Sequence, residues 1–412
     1  MSLKVLLLST NDIYGGAAKA AFRLHQGLLD QNLDTKMLVQ NQNSDNPSVI
    51  SAKGFWENLT ALFRVYLDVL PLKFYPQRAN TIFSPQWAQD PYLKKIKSLN
   101  PDIVNLHWIS GGFLRLETLA RIQKPVVWTL HDMWAFSGGC HYNENCENYL
   151  DQCGSCPQLG SFHSRDLSHR GWKRKQKVYQ QINLTVVTPS AWLGGLVKKS
   201  SLLKEKRVEV IPNGIDLNIY QPRDKSTARA LLNLPLDKKL ILFGAQQAAK
   251  SRKGGDLLQE TITKLARMTG TDDYEVVLFG KGIKDLNYDF PVHHVGVLKD
   301  ELSLNLLYSA ADVFVAPSRQ DNLPNTIMEA LASGTPCAGF NIGGVPEMIG
   351  HESHGFIAKP FDTGGLASGL SWILENEDRW QMLSKAARDK AIRDYDQKLQ
   401  VQRYRDLYLE LI

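Results

Sequence analysis

Short runs of apolar residues, each of strand length and each followed by an amphipathic helix, constrain this chain more than any other feature. Residues 4–9, Lys-Val-Leu-Leu-Leu-Ser, lack a period-two alternation, the pattern of a strand buried on both faces of a parallel sheet. Gly15-Gly16 follow, and apolar residues then recur at Ala18, Ala21, Phe22, Leu24 and Leu28 with a helical period. Strands of the same kind are predicted at 35–39, 102–107, 125–131 and 185–189. A second set follows residues 208–216, at 239–243, 275–280, 293–297, 313–316 and 336–340. Alternating strands and helices with short connections predict doubly wound parallel sheets. Two sets within 412 residues predict an α/β chain of two Rossmann-like domains facing a cleft. The expected boundaries are 1–205, with an insert at 138–158, then 206–390. Residues 391–412 lie in a stretch, 378–412, that reads as one long amphipathic helix.

Composition narrows the function classes. The chain is 43% hydrophobic and 22% charged, in the range of globular proteins. Its net charge of +6 comes from 48 basic and 42 acidic residues spread along the chain. Without a basic arm or a nucleic-acid motif, no nucleic-acid partner is expected. No apolar run reaches spanning length and the N-terminus lacks a signal-peptide layout, so a cytoplasmic location is expected.

Candidate chemistry concentrates in residues 317–336. Asp321 precedes Pro324, which suits a helix start, and Glu329 follows on the helix that Gly334 ends. A helix start offers free N–H groups and a positive dipole end to a phosphate. Pro324 has no N–H, which leaves Asn325 and Thr326 as donors. Glu329, directed back toward that end, could accept the two hydroxyls of a ribose. Solvated helix carboxylates are common, so the surrounding pattern matters. Lys250-Ser-Arg252-Lys253 follows another strand and offers cations to a departing diphosphate, or else is a solvated basic loop. His107 and His131 follow strands of the first set, at the end where α/β sheets bind ligands; either could instead cap its strand.

These motifs resemble the retaining glycosyltransferases of family 4, which have the GT-B fold. The family signatures E-x7-E, EA-x-A-x-GTP and GG-x-PE correspond to Asp321-x7-Glu329, Glu329-Ala-Leu-Ala-Ser-Gly-Thr-Pro336 and Gly343-Gly-Val-Pro-Glu347. Asp321 departs from the family Glu by one methylene. The resemblance implies donor pyrophosphate or sugar at Gly15 and Gly16, and a role for His131 beside the donor sugar. It implies a donor seat at Asn322, Leu323, Asn325, Thr326 and Glu329, and base contacts at Gly280, Val297 and Leu298. Lys253 matches the family Lys. The family Arg position holds Ala245 or Gln246, so Arg252 or Lys250 would take its place. Asp321, Lys253, Arg252 and His131 are thus the candidate catalytic residues, with no cofactor required. The implied reaction is retaining transfer from a UDP-sugar, such as UDP-glucose, to a glycan or lipid-linked glycan in exopolysaccharide biosynthesis. A nucleotide-sugar epimerase and a non-catalytic sugar-binding protein are the alternatives. A phosphorylase would need a pyridoxal-bearing Lys, for which there is no signal.

Two features stand apart. Cys140, Cys146, Cys153 and Cys156 have C-x5-C-x6-C-x2-C spacing, open to a structural zinc, two disulfides or free thiols. Residues 54–75 form an aromatic-rich helix candidate. Core packing is its favoured reading, and peripheral contact with the inner face of the plasma membrane, toward a lipid-linked acceptor, the sharper one.

Overall fold

Leu6 and Leu8 of the first strand pack into one buried cluster with Phe113 and Trp128, while Val5 and Leu7 pack into another with Leu24 and Leu28. Successive strand side chains point to opposite faces, so both faces of this strand are covered and every residue from Val5 to Leu8 is buried. Each such side chain contributes about 1.5–3 kcal/mol. The computed structural model describes residues 3–51, 55–245, 251–280, 288–298 and 300–412. Gln246 and Lys250, singled out by the sequence, lie outside the described residues.

Among the described residues the first sheet has strands β1 (Lys4–Asn11), β2 (Asp34–Asn41), β3 (Val49–Ile50), β4 (Ile103–Leu106), β5 (Val126–Thr129), β6 (Leu184–Thr188) and β7 (Arg207–Val210). Its order is β3-β2-β1-β4-β5-β6-β7, with parallel pairing throughout. The second has β8 (Lys239–Ala245), β9 (Tyr274–Gly280), β10 (Val292–Gly296), β11 (Val313–Ala316), β12 (Cys337–Phe340) and β13 (Gly355–Ala358), in the parallel order β10-β9-β8-β11-β12-β13. Here too alternate residues divide: Leu240 and Leu242 face one cluster, Ile241 and Phe243 the other. The chain order reverses between β1 and β4 in one sheet and between β8 and β11 in the other. Those are the switch points where α/β sheets open a crevice. The architecture is that of a two-domain GT-B protein.

Two compact units divide the chain, one running up to Pro212 and regaining Gln400–Ile412, the other Asn213–Leu399. The C-terminal stretch joins the first unit through a helix, Gln397–Glu410. Its Tyr404 hydroxyl lies 2.8 Å from Thr129 Oγ1, and its Tyr408 hydroxyl accepts from Asn105 Nδ2 at 3.0 Å. The single helix expected over 378–412 is broken at Asp396. Ile215 N donates to Tyr395 O and Gln397 N donates to Ile215 O, so a strand-like bridge pulls this backbone out of the helix.

The core-packing expectation for the aromatic helix fails over much of its described length. The helix Phe55–Val69 and the turn Leu70–Phe74 leave Leu62, Phe63, Tyr66, Val69 and Phe74 exposed. The buried side holds polar anchors instead. Arg64 donates to Gly112 O and to the Tyr92 hydroxyl, and Asp68 accepts from the N–H groups of Trp87 and Ala88. No helix of the described residues is long and apolar enough to cross a membrane.

Candidate active site

Each unit carries a cluster at the C-terminal ends of its strands. In the first unit the end of β1 and the loop after β4 meet at the switch point, where Thr10 N and Oγ1 donate to Trp108 O. The β1 loop ends in Gly15 at φ 103, which only glycine adopts freely, and no atom lies within 4 Å of where its Cβ would be. Gly15 thus gives open backbone at the start of the helix Gly16–Asp30. Asp12, which the sequence reading missed, fixes this loop by accepting from the N–H groups of Ile13, Asn43 and Ser44. An acidic residue at a strand end just before a Gly-Gly turn was its available signal.

His107 follows β4 and His131 follows β5. Their rings stack at 5.2 Å, and His107 Nδ1 lies 2.9 Å from His131 Nε2. Burial pulls His131 down to about 4, and burial with His131 alongside pulls His107 well below its ordinary value. Both rings are therefore neutral at pH 7, one donating and the other accepting. His107 Nε2, Ser9 Oγ and Gln40 Oε1 are buried without a hydrogen-bond partner among the described residues. All three belong to the same strand ends. Buried polar atoms are rarely left unmet, so these three call for a water, an ion or a ligand.

Asp132 turns the other way. Its Oδ2 lies 2.6 Å from His141 Nδ1, whose Nε2 lies 2.8 Å from Ser84 Oγ, and Trp108 Nε1 also donates to Oδ2 at 3.1 Å. Burial pushes the Asp132 carboxyl up, but His141 and the Trp134 N–H outweigh it and hold it below the usual range. His141, in the cysteine insert, is thereby tied to the residue beside His131.

In the second unit the loops after β8 and β11 meet at the other switch point. Lys253 Nζ lies 2.6 Å from Asp321 Oδ2, and Arg252 Nη1 lies 3.4 Å from Oδ1. Arg252 Nη1 also donates to Gln320 O at 2.8 Å, and Asn322 N donates to Asp321 Oδ1 at 3.1 Å. Burial opposes ionisation of Asp321, yet Lys253 and Arg252 hold it at about 2. Burial likewise lowers Lys253. The Gly-Gly turn closes on this cluster. Gly344 N donates to Asp321 O, and a Cβ on Gly343 (φ 56) would come within 2.0 Å of that oxygen.

The helix after Asp321 runs Asn325–Ala332, with Pro324 at its N-cap. Asn325 and Thr326 are half-buried at its start, beyond buried Asn322 and Leu323. Glu329 is 4% exposed and its Oε2 accepts from the Tyr308 hydroxyl at 3.0 Å. Tyr308 is a partner the sequence reading missed, since it sits 21 residues upstream in an apolar helix without a motif. Gly280, at φ 107, ends β9, and Leu298 follows the neighbouring β10, so both lie on the edge that carries Lys253 and Asp321.

The four insert cysteines are free thiols that line one small cavity with Phe83 and Tyr149. Among the described residues no group of three or more His, Cys, Asp or Glu side chains stands in metal-holding geometry.

Comparison with known proteins covers both units. Residues 14–219 match the profile of Glycosyltransferase Family 4, and residues 237–376 that of Glycosyl transferases group 1. A putative colanic acid biosynthesis glycosyl transferase, WcaC of Escherichia coli, is 26% identical over 81% of this chain and 82% of its own length. Mannosylfructose-phosphate synthase of Agrobacterium fabrum is 27% identical over 74% and 68%. Among solved structures, Anabaena HepE in complex with UDP-glucose superposes with a TM-score of 0.65 at 17% identity, covering 99% of this chain and 100% of its own. Sucrose-phosphate synthase of Thermosynechococcus elongatus gives 0.67 at 16% identity, covering 99% of each chain.

Proposed function

The chain belongs to glycosyltransferase family 4 and is a glycosyltransferase of polysaccharide or glycoconjugate biosynthesis, and from that premise we propose a retaining hexosyl transfer from a UDP-sugar, with UDP-glucose the first candidate donor. The acceptor in this reading is a glycan or lipid-linked glycan of an exopolysaccharide. The Lys253–Asp321–Arg252 cluster, four residues before the helix that starts at Asn325, carries the proposal. Two cations against one carboxylate leave a net positive charge next to the positive end of a helix dipole, a seat for a diphosphate. The UDP-glucose bound by HepE and the colanic acid role in the WcaC name support the donor and the pathway.

In the reaction the bond between the anomeric carbon and the diphosphate oxygen breaks, and a bond from the acceptor oxygen to that carbon forms on the same face. The acceptor hydroxyl proton passes to the departing phosphate oxygen. Lys253 and Arg252 stabilise the charge that develops there, and Asn325 and Thr326 donate to it. Glu329 holds the ribose hydroxyls, while Gly280 and Leu298 flank the base. Neutral His131 donates to a sugar hydroxyl, and Gly15 and Gly16 let the donor approach the backbone.

A panel of nucleotide sugars without acceptor tests this. Slow release of UDP from one of them is expected, and anomeric analysis of the product should find the donor configuration kept. A protein that binds no nucleoside diphosphate would end the reading; an inverted product would end its stereochemical part.

A further inference from the structure

The dipeptides His107-Trp108 and His131-Asp132 follow the neighbouring strands β4 and β5, and they pair residue by residue. His107 Nδ1 lies 2.9 Å from His131 Nε2, and Trp108 Nε1 donates to Asp132 Oδ2 at 3.1 Å. The second contact has one reading, since an indole N–H only donates. The first has two, because one proton lies between two imidazoles that are both neutral at pH 7. A neutral ring has one N–H and one bare nitrogen, so fixing either ring fixes both. If His107 donates from Nδ1, its Nε2 is bare and His131 carries its own proton on Nδ1. If His131 donates from Nε2, its Nδ1 is bare and His107 carries a proton on Nε2.

His107 Nε2 separates the two cases. It is buried without a hydrogen-bond partner among the described residues. An orphaned buried N–H is rarer than an acceptor whose lone pair is unmet, so Nε2 is the bare nitrogen. Its surroundings on the sheet agree. Val5, Leu7 and Ile103 face the cluster that Tyr404 and Tyr408 join, and strand alternation puts Ser9 and His107 on that same face. Both stand one residue beyond the paired Leu8 and Leu106. Ser9 Oγ, buried and likewise without a partner among the described residues, brings a hydroxyl proton to the side where a bare Nε2 can use one.

We propose that His107 is a positioning residue for sugar transfer: its Nδ1–H caps His131 Nε2 and holds the His131 proton on Nδ1, which makes His131 a fixed donor to the substrate and denies it the part of a base. The acceptor proton is then left to the departing phosphate oxygen. The kinetic half of the proposal rests on the transfer reading above; the tautomers rest on the two rings alone.

Long-range nitrogen–proton correlation spectra of the chain carrying isotope-labelled histidine read the tautomers without any activity, because protonated and bare ring nitrogens resonate far apart. The His107→Leu and His131→Asn chains assign the two signals. Both rings are expected in the Nδ1–H form at pH 7. A His131 that carries its proton on Nε2 overturns the proposal. With the donor that the nucleotide-sugar panel identifies, UDP-glucose first, His107→Leu should lower kcat for UDP release roughly tenfold while Kd for UDP stays within about twofold. His107→Asn, whose amide nitrogen takes the place of Nδ1, should recover most of that loss. Unchanged kcat in His107→Leu, or an equal loss in both variants, overturns the positioning role. Should His107→Leu fail to fold, the spectra of the parent chain still decide. A parent chain that turns over no nucleotide sugar ends the transferase reading instead, and the spectra then judge the tautomers by themselves.

Discussion

Lys253 Nζ stands 2.6 Å from Asp321 Oδ2 although 68 residues separate them, because the loops that carry them leave β8 and β11 at the switch point of the second sheet. The contact makes Asp321 an organiser of cations. Lys253→Ala removes a charge from the proposed diphosphate seat and leaves the Asp321 carboxylate with Arg252 alone. A loss of roughly 100- to 1,000-fold in turnover is expected, as for other groups that stabilise charge developing in a transition state. Asp321→Asn leaves two cations facing each other, and breaking a buried pair costs about 3–5 kcal/mol. Melting temperature must therefore be read beside activity. A folded Asp321→Asn enzyme with full transfer rate would remove Asp321 from the mechanism.

Much of this was legible in the chain. Strands such as β11 and β9 announce themselves as apolar runs, because a parallel strand covered on both faces has no polar side to alternate with. The loop from Asp321 to Glu329 was readable because Pro324 and Gly334 bracket a helix whatever surrounds them. What local pattern could not carry was long-range pairing. Nothing near Glu329 points to Tyr308, and nothing near Asp396 reveals that Ile215 will pull the backbone out of its helix. The residues Phe63 and Tyr66 misled because an apolar helical face reads alike whether it meets a core or the outside; burial is decided by Arg64 and Asp68 finding distant partners.

The histidine pair predicts a pH dependence. His131 is pulled down to about 4 from an ordinary 6.5, and His107 is held well below its own. A depressed folded value means that the unfolded chain binds more protons across that interval. The contribution to stability is thus complete above about pH 6.5 and is lost as pH falls through 4. Melting temperature should fall across this window. His131→Asn should flatten part of that fall, with His107, His25 and His354, all lowered by burial, maintaining the rest. An unchanged slope in the variant would show that His131 is charged in the folded state.

Tyr308 and Glu329 separate a binding role from a packing role. Burial and the Glu329 carboxylate push the Tyr308 phenol well up, so it remains a donor to Oε2 at any working pH. Tyr308→Phe removes one hydrogen bond to a charged acceptor, about 1.5–3 kcal/mol, while the carboxylate remains for the proposed ribose contact. Glu329→Ala removes both. Titration calorimetry with UDP should find binding weakened by Glu329→Ala at least tenfold more than by Tyr308→Phe. Equal losses would mean that Glu329 acts only through packing.

The exposed helix face tests the lipid-linked form of the acceptor. Leu62, Phe63, Tyr66 and Val69 fall at helical spacings of one, three and three residues, so they share a side, and Phe74 at 83% exposure extends it. Lys73 stands beside them, its Nζ 2.9 Å from the Tyr66 hydroxyl. Aromatic and aliphatic side chains with an adjacent cation suit the boundary between acyl chains and anionic headgroups. Cosedimentation with phosphatidylglycerol vesicles should capture the protein, more weakly as salt rises, and the Phe63→Ser, Phe74→Ser double variant should stay in solution. Those positions are exposed, so the variant should melt within a degree or two of the parent. A parent chain that ignores such vesicles would leave a soluble glycan as the acceptor and return this face to another role.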